Sequence, residues 1–115
     1  MSKNIAVVLG EFHKKETTEM LNEVRKVATE NNLNITEEIW VNGSYEKPLA
    51  IKKLLLKDNV DAVVALGIIE RGETKHGLVM GHTVMAAILN LELEFMKPVG
   101  ICILCGYLQG VCFLA

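Results

Sequence analysis

Ten residues, Gly67-Ile68-Ile69-Glu70-Arg71-Gly72-Glu73-Thr74-Lys75-His76, carry the densest set of reactive and ligand-binding groups in the chain. An apolar, β-branched run precedes them and a helical pattern follows, so Gly72-Glu73-Thr74 stands where a helix opens. Free backbone N–H groups and the helix dipole make such a start an anion site. Thr74 adds a hydroxyl, and Arg71 and Lys75 add positive charge, a combination suited to a phosphorylated small molecule. The same residues also read as an ordinary helix start with Thr74 as the N-cap. His76, in the first turn, could move protons near neutral pH beside a bound anion, or could be a part-exposed histidine with no chemical task. His82 follows six residues later, a rotation of roughly 240° on a helix, so the two histidines do not share a face and no metal pair is expected.

Two further loops are rich in polar and aromatic residues. Phe12 lies in Gly10-Glu11-Phe12-His13, directly after an apolar run, where a planar ring could stack on a flat heterocycle or pack on the next helix. Glu46, in Asn42-Gly43-Ser44-Tyr45-Glu46, could accept hydrogen bonds from sugar hydroxyls, or could complement a helix start as a solvated carboxylate. Cys102 and Cys105 have a redox or metal-like spacing, but they sit in a strand-like run rather than at a helix start, and Cys112 alone does not complete a ligand set.

The elements that hold these loops follow from periodicity. Ile5–Leu9 reads as a buried strand, because a strand covered on both faces loses its in/out alternation. Glu16 to Glu30 has helical spacing, with Met20, Leu21, Val24, Val27 and Ala28 on one face. A second strand is predicted from Ile35 to Val41, with Ile35, Ile39 and Val41 as its apolar residues, and a second helix from near Pro48 to Leu56. A third strand runs from Val60 to Leu66, followed by a loop from Gly67 to Thr74. A third helix spans His76–Phe95, and its small and apolar residues make it look more buried than the other two. A fourth strand follows at Val99–Leu104. The order β-α-β-α-β-α-β predicts a parallel sheet of about four strands with helices on both faces, a three-layer α/β/α arrangement of the flavodoxin-like kind. In such sheets ligands bind outside the carboxyl ends of the strands, where all three loops should converge.

The 115 residues amount to one small domain, half apolar, with a formal net charge of −2. No clustered basic face suggests nucleic acid. The amino-terminal residues show no signal-peptide pattern, and three cysteines without a secretion signal suit a reducing cytoplasm. Residues 98–115 carry no charge, yet their glycines, proline and glutamine make a poor spanning helix, so no membrane partner is expected.

Three motifs, taken in order, resemble the lumazine synthase family. The run Gly67-x-x-x-Arg71-Gly72-Glu73-Thr74-x-His76 between a strand and a helix is similar to its signature. Gly43-Ser44-Tyr45-Glu46-Lys47-Pro48 resembles its second loop, and Glu11-Phe12-His13 its first. The resemblance covers about Ile5 to Ile103 and is nearest to archaeal members. It implies an enzyme of riboflavin biosynthesis, a transferase that condenses 5-amino-6-(D-ribitylamino)uracil with 3,4-dihydroxy-2-butanone 4-phosphate. It implies that Phe12 stacks on the pyrimidine and that Ser44, Tyr45 and Glu46 hold the ribityl chain. The backbone of Ile68, Ile69 and Glu70 would face the ring, Glu73 and Thr74 would hold the phosphate mainly through the helix-start amides, and Arg71 and Gly72 would belong to the same substrate-binding loop. His76 would be the acid/base. Ile101 would reach the neighbouring subunit's substrate. No cofactor and no metal are implied, and the expected macromolecular partner is the chain itself, as a pentamer or a larger shell.

Some positions depart from the family pattern. Asn42 replaces a proline, Glu70 an apolar residue, and Gly77-Leu78 an aromatic or acidic pair. After Leu104 the resemblance stops. Residues 1–104 are therefore expected to form the family-like domain and 105–115 an atypical apolar tail, with the family's C-terminal helices and a phosphate-clamping arginine missing and a shifted reading frame as one origin. Weakened activity and stability are the corresponding expectation. Two other readings stay open: an archaeal-type riboflavin synthase on the same fold, and a ligand-binding remnant without turnover.

Overall fold

The computed structural model of the protein describes residues 3–70 and 76–107, apart from the side chains of residues 70, 76–77 and 104–107. Arg71, Gly72, Glu73, Thr74 and most of the expected tail lie outside the described residues.

Strand β1 spans Lys3–Gly10, helix α1 Lys14–Glu30 and strand β2 Leu33–Val41. A single 3₁₀ turn, Ser44–Glu46, leads into helix α2, Lys47–Leu55, and strand β3 covers Ala62–Glu70. Helix α3 runs His76–Phe95 and strand β4 Val99–Tyr107. All four strands are parallel, in the order β2-β1-β3-β4. From β1 the chain steps outward to β2, then crosses back over β1 to β3. Right-handed crossovers therefore place α1 on one face of the sheet and α2 and α3 on the other. The cores agree: Val7, Leu9 and Leu66 pack with Leu21 of α1, whereas Ala6, Val8, Val63 and Ala65 pack with Ile51, Val84 and Ile88 of α2 and α3.

Several boundaries differ from the sequence expectation. β3 continues through Glu70, so Ile68 and Ile69 belong to a strand rather than a loop; β4 beside it supplies the ladder, pairing Ile68 with Leu104 and Glu70 with Tyr107. β4 likewise runs three residues past the expected end at Leu104. In β2, Ile35 and Ile39 do not share a face. A bulge follows Ile35, where the register jumps from Ile5↔Ile35 to Ala6↔Glu37. The extra residue reverses the alternation, so Ile35 packs on the α1 side and Ile39 and Val41 on the α2 side. On α1, Val27 is exposed rather than part of the buried stripe.

The expectation for α3 is also corrected: it is not the most buried helix. Gly81, Val84, Ile88 and Leu91 form its inner stripe, but Leu78, Val79, Leu89 and Leu93 are exposed, Leu93 to 72%. A flat sheet can cover only one stripe of a helix, so apolar residues elsewhere on its circumference stay outside. By length and composition alone, Leu78–Phe95 is apolar enough to cross a membrane.

Helix ends are closed locally. Asn32 and Met96 adopt the left-handed conformation after α1 and α3, which turns the chain out of a helix. The Lys97 ammonium donates to the carbonyls of Leu55 (2.9 Å) and Lys57 (3.0 Å), satisfying the C-terminal end of α2 with a cation where the dipole favours one.

Candidate active site

Helix α1, which follows β1, and helix α3, which follows β3, lie on opposite faces of the sheet. The strand order reverses between β1 and β3, so their carboxyl ends mark the switch point, the crevice position where ligands bind in sheets of this kind. Gly10 ends β1, and Gly67 lies in β3 one position beyond Leu66, the partner of Leu9.

The first loop offers Phe12 to this edge. Phe12 is 67% exposed, although an isolated phenylalanine gains by burial. The backbone holds it there. The Glu11 N–H donates to the Val41 carbonyl (3.0 Å), tying the loop to the end of β2. His13 takes a left-handed turn, φ 55°, at the N-cap position of α1. The Thr17 hydroxyl reaches back to the carbonyls of Phe12 (3.4 Å) and His13 (3.1 Å). Beside the loop, the Lys14 ammonium lies over the Trp40 ring, 5.1 Å from its centre.

The second loop is the 3₁₀ turn. Its Glu46 N–H donates to the Gly43 carbonyl (3.3 Å). Tyr45 and Glu46 are exposed and Ser44 is buried. A Cβ on Gly43 would lie 3.0 Å from a Glu46 carboxylate oxygen, so glycine here lets the carboxylate fold back over the turn.

The third contribution comes from β3. The Ile68 and Ile69 side chains are buried, with Ile69 in the α2–α3 core, which leaves their backbone as the part available at the strand end. Glu70 closes the strand and His76 opens α3, so the backbone at both ends of the signature loop is anchored in regular structure. Ile101 is not brought to this edge within the chain. It pairs with Ala65, two residues before the level of Gly67↔Ile103, and packs part-buried against the core.

Sequence reasoning missed Lys47, treated there only as a spacer in the second motif. The side chain is fully buried. Its ammonium donates to Ser44 Oγ at 3.2 Å and lies beside Gly10 and Gly67. The available signal was electrostatic: a lysine at the first residue of a helix opposes the dipole, where acidic residues are favoured.

Other features lie elsewhere. A polar groove of about 600 Å³ runs between α1 and β2 and includes Arg25, Thr29, Leu33 and Glu38. It sits toward the amino edge of the sheet, away from the crevice. The Arg25 guanidinium there grips both carboxylate oxygens of Glu38, at 2.6 and 2.8 Å. That bond holds the Glu38 carboxyl below its ordinary range and raises Arg25. Among the described residues no group of three or more histidine, cysteine or acidic side chains could hold a metal ion. Cys102 and Cys105 both lie within β4, and Cys102 is a free, exposed thiol.

Residues 2–107 match the family model for 6,7-dimethyl-8-ribityllumazine synthase. The chain is similar to the enzyme of that name from Methanococcus vannielii, 38% identical over 98 residues that make up 85% of this chain and 70% of the relative. Against the one from Saccharolobus solfataricus the identity is 41% over 98 residues, 85% of this chain and 64% of the relative. The Methanobrevibacter smithii protein is 38% identical over 98 residues, 85% of this chain and 71% of the relative. The chain thus spans about two thirds of the length of these relatives. With a matching family model over nearly the whole chain and a four-stranded parallel sheet in the order β2-β1-β3-β4, this protein belongs to the 6,7-dimethyl-8-ribityllumazine synthase family.

Proposed function

We propose that this protein condenses 5-amino-6-(D-ribitylamino)uracil with 3,4-dihydroxy-2-butanone 4-phosphate to give 6,7-dimethyl-8-ribityllumazine. The observation that carries this reading is the convergence of an exposed Phe12, the Ser44–Glu46 turn and the end of β3 at the β1–β3 crevice, within a chain that matches this family over residues 2–107. Phe12 stacks on the pyrimidine. Ser44, Tyr45 and Glu46 bind the ribityl hydroxyls, and the backbone of Ile68, Ile69 and Glu70 faces the ring. Arg71, Gly72, Glu73 and Thr74 hold the phosphate at the start of α3, where backbone N–H groups favour an anion. An imine forms, phosphate leaves and the ring closes, with His76 moving the protons. Holding two reactants in register supplies most of the acceleration, and proton transfer adds to it. No metal or cofactor enters the scheme.

The exposed apolar stripe of α3 supports self-association, and a pentamer or larger shell, with Ile101 reaching a neighbour's substrate, is the assembly we propose. A cytoplasmic location suits the substrates and the free Cys102 thiol. A riboflavin synthase on the same fold is not favoured, because the relatives matched are lumazine synthases.

The test is to incubate the purified protein with both substrates and identify the product by mass and fluorescence. A second reaction receives lumazine alone. The proposal expects lumazine in the first reaction and no riboflavin in the second. A ligand that binds but is never converted would overturn it in favour of a non-catalytic remnant.

A further inference from the structure

We propose that Lys47 is a positioning residue for the ribityl chain of the substrate, acting through Ser44. The inference rests on the function proposed above and assigns a task to a residue that the family motifs leave as a spacer.

Three observations carry it. The first is place. The Lys47 side chain starts at the first residue of α2 and ends at the β1–β3 crevice, the ligand-binding position of the sheet. The second is room. A Cβ at Gly67 would lie 2.1 Å from Nζ and 3.2 Å from Cε, and one at Gly10 would lie 3.3 Å from Nζ. Both strands thus carry a glycine where the ammonium passes, and at Gly67 no other residue leaves the lysine where it is. The third is energetic. The side chain is 0% exposed, at a helix end whose dipole disfavours a cation. Burying an ammonium costs free energy that an apolar side chain of the same length would not. Packing alone therefore does not account for a lysine here.

The hydrogen bond to Ser44 gives that ammonium one use at the site. Lysine only donates, so Ser44 Oγ is the acceptor at 3.2 Å. The serine hydroxyl must then direct its own proton to a different acceptor. Lys47 thereby fixes Ser44 as a donor, aimed at an oxygen of the ribityl chain, and anchors the 3₁₀ turn that also carries Tyr45 and Glu46. The pyrimidine and phosphate subsites do not depend on this bond.

The experiment measures binding with two non-reacting ligands, 5-nitro-6-(D-ribitylamino)uracil and 5-nitro-6-methylaminouracil, which lacks the hydroxylated chain. Calorimetric titrations compare the full chain with Lys47→Met, Ser44→Ala and the double variant, and thermal melts follow folding. Lys47→Met is expected to weaken the ribityl ligand by about tenfold, the scale of a hydrogen bond involving an ionised group. It should leave the methyl ligand unchanged and should not lower the melting temperature. The double variant should bind like the weaker single variant. Unchanged ribityl binding, equal losses for both ligands, or losses that multiply in the double variant would each overturn the role. If Lys47→Met does not fold, Gly67→Ala, whose methyl displaces the ammonium, should reproduce the selective loss, and a normal affinity in that variant rejects the role. A wild-type protein that does not prefer the ribityl ligand overturns the functional reading and the lysine's role together. A preference that is the same size in the wild type and in Lys47→Met overturns only the latter.

Discussion

Helices α1 and α3 cover opposite faces of one sheet, and their outer surfaces have little in common. The outside of α1 exposes Lys15, Glu19, Asn22, Glu23 and Lys26. The outside of α3 exposes Leu78, Val79, Leu89 and Leu93. Their inner stripes are alike, each set by the sheet beneath, with Leu21 and Ala28 on one helix and Val84 and Ile88 on the other. The inner stripe thus reports the fold, and the outer surface reports the next layer of contact: water for α1 and, for α3, the partner surface of the proposed assembly. The two sides also divide the site. The α1 side supplies Phe12, the proposed stacking group, and the α3 side supplies His76, the proposed acid/base.

Four changes sharpen or break this contrast. The largest effect is expected in the α3 core. Ile88→Ala removes a side chain with no exposure and should cost roughly 2–5 kcal/mol in denaturant unfolding. Leu21→Ala, in the smaller cluster under α1, should lie toward the lower end of that range. Next comes chemistry. His76→Ala should lower kcat on the order of a hundredfold and leave the far-UV spectrum unchanged; an unaltered kcat would remove the acid/base role from the α3 side. Third is assembly. Leu89→Lys with Leu93→Lys should shift sedimentation toward smaller species while the fold survives, whereas Glu23→Lys on α1 should leave the assembly as it is. Equal behaviour of the two variants would erase the contrast between the outer surfaces.

The smallest effect belongs to the Arg25–Glu38 pair at the α1–β2 edge. The guanidinium lowers the folded-state pKa of Glu38, so its stabilisation is present at neutral pH, above the unfolded value. It is lost as the pH falls through the lowered folded value. Glu38→Gln should remove a small, salt-sensitive part of the stability at pH 7 and flatten its acid dependence, as checked by melts across pH 3–7 at two salt concentrations.

Much of this was legible in the sequence. Apolar runs and helical spacing gave the β-α-β-α-β-α-β order, and the limits of α3 at His76 and Phe95 match the structure. Three features were not legible. The bulge after Ile35 reverses the faces of β2, and a run of alternating residues does not announce an insertion. The strand character of Ile68–Glu70 depends on pairing with β4, a contact from more than thirty residues away. The outward face of α3 was read as core because composition counts apolar residues without saying how many one sheet can cover. At the site, Phe12 and the Ser44–Glu46 turn reach the carboxyl edge as expected. Lys47 escaped notice because burial, rather than residue type, distinguishes it from a solvated helix-start lysine.

The central claim is best tested by measuring lumazine and inorganic phosphate together, as initial rates with both substrates and a protein-free blank. The account predicts that both products rise above the blank at equal molar rates, since one phosphate leaves for each ring closed. Rates indistinguishable from the blank, or phosphate released without lumazine, would contradict it.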